Sequence, residues 1–104
     1  MAARSLAAPE LVDLEVVAVL RKFCAAKRFD AQRASQALSD LYDLRLDRIP
    51  HRQLIARCWE LRNNVTIYDA SYIAVAELFD AVLLTADGRL AKVHGAKCRI
   101  EVLT

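Results

Sequence analysis

Residues 66–95 read TIYDASYIAVAELFDAVLLTADGRLAKVHG, and the order of patterns in this stretch decides the fold class. Asp69 is a candidate N-cap for a helix whose apolar residues recur at helical spacing. The apolar run at residues 81–84 then predicts a short buried strand, which ends in the turn signals of residues 85–88. A helix followed at once by a buried strand is typical of α/β proteins.

The chain continues this alternation to its end. Residues 89–94 predict one or two helical turns with Gly95 as the stop, and Cys98, Ile100 and Val102 alternate as in a strand. We therefore predict an α/β sandwich in which parallel strands are joined by right-handed crossovers. In such folds the ligand site lies beyond the carboxyl ends of the strands.

The first half of the chain is predicted to be mainly helical. Pro9 suits the first turn of a helix that continues over residues 11–27, where apolar residues lie on nearly every side. This pattern predicts a helix that is buried on most of its circumference. Asp30 is a candidate N-cap for a second helix. Residues 43–46 predict a short extended stretch, and residues 54–61 predict a third helix.

Composition limits the class of protein. A chain of 104 residues with 56% hydrophobic residues predicts a single domain over residues 1–104. Its net charge of +2 excludes a protein that holds nucleic acid by overall charge alone. Three widely spaced cysteines fit neither a disulfide framework nor a zinc site. The sequence shows neither a membrane-length apolar run nor a signal peptide, so we expect a cytoplasmic protein.

Three acidic residues are candidates for chemistry. Glu15 lies among apolar helix neighbours without a basic partner. Its carboxylate either reaches solvent near the helix start or, if buried, must be neutralised, find donors or coordinate a cation. Asp69 alone is explained as an N-cap, and Asp87 alone as part of an Asp-Gly turn. Their joint placement at the two ends of one helix and strand unit predicts that both face the same rim of the sheet.

The chain resembles a known family in three stretches, which read AAPELVDLEVVAVLR, TIYDASYIAVAELFDAVLLTADGRLAKVHG and CRIEVL. They are similar to the PIN-domain ribonucleases of bacterial toxin–antitoxin pairs, the VapC type. The resemblance covers residues 6–103 and is most specific where YDA, an alanine-rich helix ending in Ala76-Glu77, and LLTAD follow in the expected order. It implies a PIN-like α/β/α sandwich with a short parallel sheet.

The resemblance also implies a shortened fold. Proteins similar to this one begin with a hydrophobic strand that ends in Asp, followed by two helices, before the segment that matches AAPEL. Here Met1 stands only a few residues ahead of that segment. We therefore expect a domain that is N-terminally truncated relative to the family, with one metal ligand absent and two inner strand edges unpaired.

The resemblance implies a site in which acidic residues hold Mg²⁺ or Mn²⁺. Glu15, Asp69 and Asp87 map onto these ligands, and Thr85 onto an accessory polar group. Hard divalent cations take oxygen ligands and keep several waters, and they activate water for attack on a phosphodiester. Arg89, close to Asp87, is a candidate for binding a substrate phosphate. The implied partners are RNA, a VapB-type antitoxin on the apolar surface of the first two helices, and a second copy in a homodimer.

One segment has a local basic excess, in which the cationic candidates are Arg45, Arg48, His51, Arg52, Arg57 and Arg62. These side chains either contact RNA phosphates without reading bases or form the solvated face of an amphipathic helix. Trp59 and Tyr68 either stack on bases or belong to the core or an interface.

Three functions remain open from the sequence. We favour a metal-dependent endoribonuclease that is the toxin of a type II toxin–antitoxin pair. The alternative is a catalytically impaired PIN remnant that acts only as an antitoxin-binding or protein-binding module. A third hypothesis is a small helical DNA-binding protein that places the arginines of residues 45–62 in the major groove.

Overall fold

The structure is a computed structural model that describes residues 6–103. Its helices are α1 (Leu11–Ala25), α2 (Ala31–Asp43), α3 (Ile55–Glu60) and α4 (Ile67–Leu78), and its strands are β1 (Ala7–Pro9), β2 (Asp47–Ile49), β3 (Leu83–Thr85) and β4 (Ile100–Val102). Short 3₁₀ helices cover His51–Gln53 and Gly88–Lys92. The predicted α/β class is confirmed, and these strands exclude the purely helical alternative. None of the helices in residues 6–103 is both long and apolar enough to cross a membrane.

The strands pair in parallel, as predicted. β1 pairs with β2 and β3 pairs with β4, which gives two separate two-stranded sheets among the described residues. Residues from β1, β3 and α4 line an apolar groove of about 220 Å³. The two sheets therefore both border the same central helix.

The hydrophobic core is built around α4. Six of its residues are buried, and Ala70 and Ile73 have no exposed surface. The helix packs against α3, β1 and β3. Leu54 and Leu61, which flank α3, are almost completely buried against it. This packing makes α4 the most constrained element of the fold and fixes the positions of the side chains it carries.

One predicted helix signal, the N-cap at Asp30, is confirmed, and a second is wrong. Asp30 is the N-cap of α2, and its carboxylate accepts a hydrogen bond from the Arg33 amide at 2.8 Å. The helix stop predicted at Gly95 is wrong, because the short 3₁₀ helix ends at Lys92 with Val93 as its C-cap. Gly95, with a φ of +91°, lies in the turn that follows. At Asp30 a short local pattern was sufficient, because the interaction lies within a few residues.

The prediction that Pro9 begins the first helix is wrong, since Pro9 ends β1 and Glu10 is the N-cap of α1. The carbonyl of Leu6 and the amide of Glu10 make the hydrogen bonds to β2 at either end of the strand. Bonded residues alternate along a parallel ladder, so the nitrogen of Pro9 faces away from β2. Its missing N–H therefore removes no bond between the strands.

The predicted burial of the first helix is also wrong. Only Leu20 is buried among the α1 side chains, and Leu14 is 70% exposed. α1 packs mainly against α2 and β1, which cover one side of it. Apolar residues on the other side lie at the surface because no other element in residues 6–103 packs there. The extended stretch predicted at residues 43–46 lies slightly later, at β2.

Candidate active site

A cavity of about 280 Å³ lies at the carboxyl end of β3. Its lining includes Glu15 from α1, Asp69 and Tyr72 from α4, and Thr85 from β3. This is the position at which a parallel α/β sheet places its ligands. The structure therefore brings three of the sequence-predicted residues, Glu15, Asp69 and Thr85, to one cavity.

Asp69 is not the N-cap of α4, so that sequence interpretation is wrong. The helix begins two residues earlier, and the hydroxyl of Thr66 accepts a hydrogen bond from the Asp69 amide at 3.1 Å. Threonine is a favourable N-cap residue, and because Thr66 caps the helix, the carboxylate of Asp69 is not needed for capping. The carboxylate of Asp69 instead borders the cavity from the first turn of α4, where the helix dipole favours a negative charge.

Glu15 is held by a residue that the sequence did not identify. The hydroxyl of Tyr72 donates a hydrogen bond to Glu15 Oε1, across 57 positions of sequence. Burial raises the pKa of Tyr72 above its usual value, and the hydrogen bond with Glu15 and the nearby carboxylate of Asp69 raise it further. The phenol therefore stays protonated and remains a donor. The sequence did contain one signal for Tyr72: it lies three residues after Asp69 on one helix, a spacing that places both side chains on the same face.

Asp87 lies beside the cavity rather than in its lining. Its carboxylate accepts hydrogen bonds from the Arg89 amide at 3.0 Å and from Arg89 Nη2 at 2.8 Å. The arginine side chain is the main cause that lowers the pKa of Asp87 to about 2. Asp87 Oδ1 also accepts from Arg89 Nε. Thr85 orients this turn, because its hydroxyl accepts from the Asp87 amide at 3.0 Å. Asp87 and Arg89 thus form an ion pair at the rim.

The donors around the cavity are the oxygens that a hard divalent cation prefers. Within residues 6–103, no three His, Cys, Asp or Glu side chains lie close enough together to hold a metal ion directly. Mg²⁺, however, is commonly bound through one or two carboxylates and keeps several waters. Glu15, Asp69 and the Thr85 hydroxyl therefore fit a hydrated cation by the chemistry of their oxygens, with Asp87 nearby.

Two arginines of the basic segment are committed to ion pairs within the fold. Arg48 Nε lies 2.8 Å from a carboxylate oxygen of Asp13, and Arg57 Nε lies 2.6 Å from Glu77. Arg57 also donates to the carbonyl of Gly95 at 2.6 Å. These two side chains connect elements of the protein, so their charges are largely satisfied without a nucleic acid.

The aromatic candidates lie at a different place. Trp59 and Tyr68 are exposed and line an apolar cavity of about 430 Å³ between α3 and α4. The guanidinium of Arg62 lies 4.2 Å from the centroid of the Trp59 ring. Neither aromatic side chain is part of the acidic cavity, so the two surfaces are distinct.

Comparisons with known proteins find a matching family model and several similar sequences. The model of the PIN domain family matches residues 1–96. Ribonuclease VapC9 of Mycobacterium tuberculosis is 40% identical over 103 residues, which cover 99% of this chain and 81% of that relative. A VapC ribonuclease of Mycobacterium bovis has the same identity and coverage. Ribonuclease VapC1 of M. tuberculosis is 42% identical over 97 residues, which cover 92% of this chain and 73% of the relative.

Proposed function

This chain belongs to the PIN-domain family, and from that premise we propose that it is a VapC-type endoribonuclease, the toxin of a type II toxin–antitoxin pair. The observation that carries the proposal is the convergence of Glu15 and Asp69 at one cavity. The convergence occurs in a chain that is 40% identical to VapC ribonucleases over nearly its whole length. The reaction is hydrolysis of RNA phosphodiester bonds, and the binding-module alternative is not favoured.

Glu15, Asp69 and Asp87 are proposed to hold Mg²⁺ or Mn²⁺. A cation held by these residues would supply an acidified water and neutralise charge on the leaving oxygen. Asp69 contributes a fixed carboxylate from a buried helix, and the hydroxyl of Thr85 orients a water or a phosphate oxygen at the same cavity. Asp87 is negatively charged at physiological pH, which lies far above its pKa; the hydrogen bonds from Arg89 lower that pKa to about 2.

Arg89 is proposed to bind the substrate phosphate. Its exposed guanidinium directs Nε and Nη2 toward Asp87. An arginine carries five N–H donors, so others remain for a phosphate oxygen. Its position at the rim, beside the cavity, is where the backbone of a bound RNA would pass. Phosphate contacts of this kind position RNA without reading its bases.

A VapB-type antitoxin is the proposed protein partner, and a homodimer is the proposed assembly, in the cytoplasm. A groove of about 350 Å³ between α1 and α2 is lined by Val17, Leu38 and Tyr42, among others. These three side chains are at least partly exposed. An apolar helix face packs well into such a groove. This exposed surface supports the proposal that an antitoxin covers the first two helices.

The direct test compares two Asp to Asn variants of the purified protein on structured RNA with Mg²⁺ or Mn²⁺. Asp69→Asn removes a carboxylate from the cavity, and we expect at least about a 100-fold loss of cleavage rate. Asp80→Asn is the matched control, because Asp80 is exposed and its positive φ of 51° suits asparagine. Cleavage that is unchanged in Asp69→Asn or in excess EDTA would contradict the proposal. If the unaltered chain binds the antitoxin but cleaves no RNA, the binding-module function is correct instead.

A further inference from the structure

We infer that Tyr72 is a positioning residue whose hydroxyl holds the carboxylate of Glu15 toward the cavity that Asp69 and Thr85 line. The inference rests on the proposed function, because it takes Glu15 as part of a cation site. The contact itself is a hydrogen bond from the Tyr72 hydroxyl to Glu15 Oε1. It is the one side-chain hydrogen bond that the structure gives to Glu15 within residues 6–103.

Glu15 needs such a partner because of where it lies. It is an exposed residue on α1, a helix with only Leu20 buried. A glutamate side chain at the surface samples many rotamers, and fixing it in one of them costs conformational free energy. Without a hydrogen bond, its carboxylate would spend much of its time away from the cavity.

Tyr72 is well placed to supply this constraint. It is half-buried on α4 between Ser71 and Ile73, which are both buried. Its ring lines both the acidic cavity and the apolar groove beside β1 and β3. A tyrosine has only two side-chain torsions, so a ring packed on these surfaces presents its hydroxyl in a nearly fixed direction.

One helix therefore determines the placement of two acidic groups. Asp69 lies on α4 itself, and Tyr72 lies on the same face one turn later. The carboxylate of Glu15 is set relative to Asp69 through the tyrosine, although it belongs to an exposed helix. Hydrogen-bond partners of this type orient metal ligands, and their loss commonly weakens metal binding 10-fold to 100-fold, roughly.

The experiment measures Mn²⁺ binding to the metal-free protein by calorimetry, in the absence of RNA. Tyr72→Phe retains the ring and removes only the hydroxyl, and we expect Mn²⁺ to bind about 10-fold more weakly. Ser39→Ala is the control, because it also removes one hydroxyl, from an exposed residue of α2 that lies outside the cavity and the grooves described above. We expect that variant to bind Mn²⁺ as the unaltered protein does. Thermal unfolding of each variant establishes that the fold is retained.

A double-mutant cycle separates positioning from a general structural effect. In a Glu15→Gln background, Tyr72→Phe should cause no further loss of Mn²⁺ affinity, because the hydroxyl acts through the carboxylate. In cleavage assays the Mg²⁺ concentration at half-maximal rate should rise about 10-fold, while the rate at saturating Mg²⁺ changes little.

The outcomes distinguish this inference from the proposed function. The inference is overturned if Tyr72→Phe binds Mn²⁺ normally while Glu15→Gln does not. It is also overturned if Tyr72→Phe lowers the Mn²⁺ affinity as much in the Glu15→Gln background as in the unaltered protein. A loss of Mn²⁺ affinity that results from unfolding of Tyr72→Phe would show this pattern. If Glu15→Gln and Asp69→Asn both bind Mn²⁺ and cleave RNA normally, the proposed site itself is wrong.

Discussion

Helices α1 and α4 have similar lengths and are both rich in apolar residues, yet they differ in burial. Of the 12 residues of α4 six are buried, whereas of the 15 residues of α1 only Leu20 is buried. α4 lies between α3 and the strands, and α1 has neighbours on one side. Apolar composition therefore shows only that a helix has apolar side chains available for burial. The elements that pack against the helix determine how many of those side chains are buried.

The candidate site joins these two regions. Asp69 and Tyr72 belong to the packed helix α4, and Glu15 belongs to the exposed helix α1. The site therefore depends on the contacts that hold α1 to the rest of the molecule, which include the Asp13–Arg48 ion pair. Substitutions in each of the two helices and in their ion pairs measure how far the two regions differ.

The largest expected effect is in the core of α4. Ile73 has 0% of its surface exposed, so Ile73→Ala leaves a cavity, and we expect a loss of about 3–4 kcal/mol in the free energy of unfolding. Val19→Ala in α1 is the comparison, because Val19 is 46% exposed, and its expected cost is below about 1 kcal/mol. Urea unfolding measures both. Equal losses of unfolding free energy in the two variants would show that α1 and α4 contribute equally to the stability of the fold.

A smaller effect is expected at the ion pair that ties α4 to α3. Arg57 donates to both carboxylate oxygens of Glu77, at 2.6 and 2.9 Å, and Glu77 also accepts from the Lys97 amide. The Glu77 side chain is only 14% exposed. We therefore expect Glu77→Gln to lower the free energy of unfolding by about 2 kcal/mol at pH 7, as measured by urea unfolding. Glu60→Gln is the control, since its exposed carboxylate makes a single contact with Arg57.

The same pair predicts a pH dependence. The hydrogen bonds from Arg57 lower the pKa of Glu77 below its ordinary value of 4.5. A carboxyl group whose pKa is lower in the folded state stabilises the fold above its unfolded pKa, and this stabilisation is lost as pH falls through the folded value. We expect urea unfolding to show stability decreasing below about pH 5, and less steeply in Glu77→Gln. The stability of Glu77→Gln should still decrease somewhat as the pH falls, because the pKa of Asp87 is also lowered in the folded protein.

The smallest effect is expected where α1 meets β2. Asp13→Asn weakens the ion pair with Arg48, which is partly exposed and also donates to the Leu41 and Leu46 carbonyls. We expect the thermal midpoint to fall by about 3–5 °C. Asp47→Asn, which changes an exposed carboxylate on the same strand as Arg48, should shift the midpoint by less than about 2 °C. A shift in Asp13→Asn no larger than in this control would mean that the pair does not anchor α1.

Local patterns predicted the elements well and their boundaries less well. The N-cap at Asp30 and the parallel strands followed from sequence patterns, whereas the helix predicted to stop at Gly95 ends at Lys92. The sequence favours Asp69 as the N-cap of α4 because aspartate is a good cap, but Thr66, three residues earlier, occupies that position. Two candidate caps three residues apart cannot be ranked by residue type alone, since serine, threonine and aspartate all accept the same hydrogen bond.

The amino-acid order alone determined the α/β class, the family resemblance and the identity of the acidic candidates, because these depend on residue types and short spacings. Only the tertiary structure decided that Glu15 reaches the cavity of Asp69 and Thr85, that Tyr72 bonds to it, and that α1 remains exposed. Such contacts join residues far apart in the chain. They depend on how helices and strands pack in space, which no local periodicity specifies.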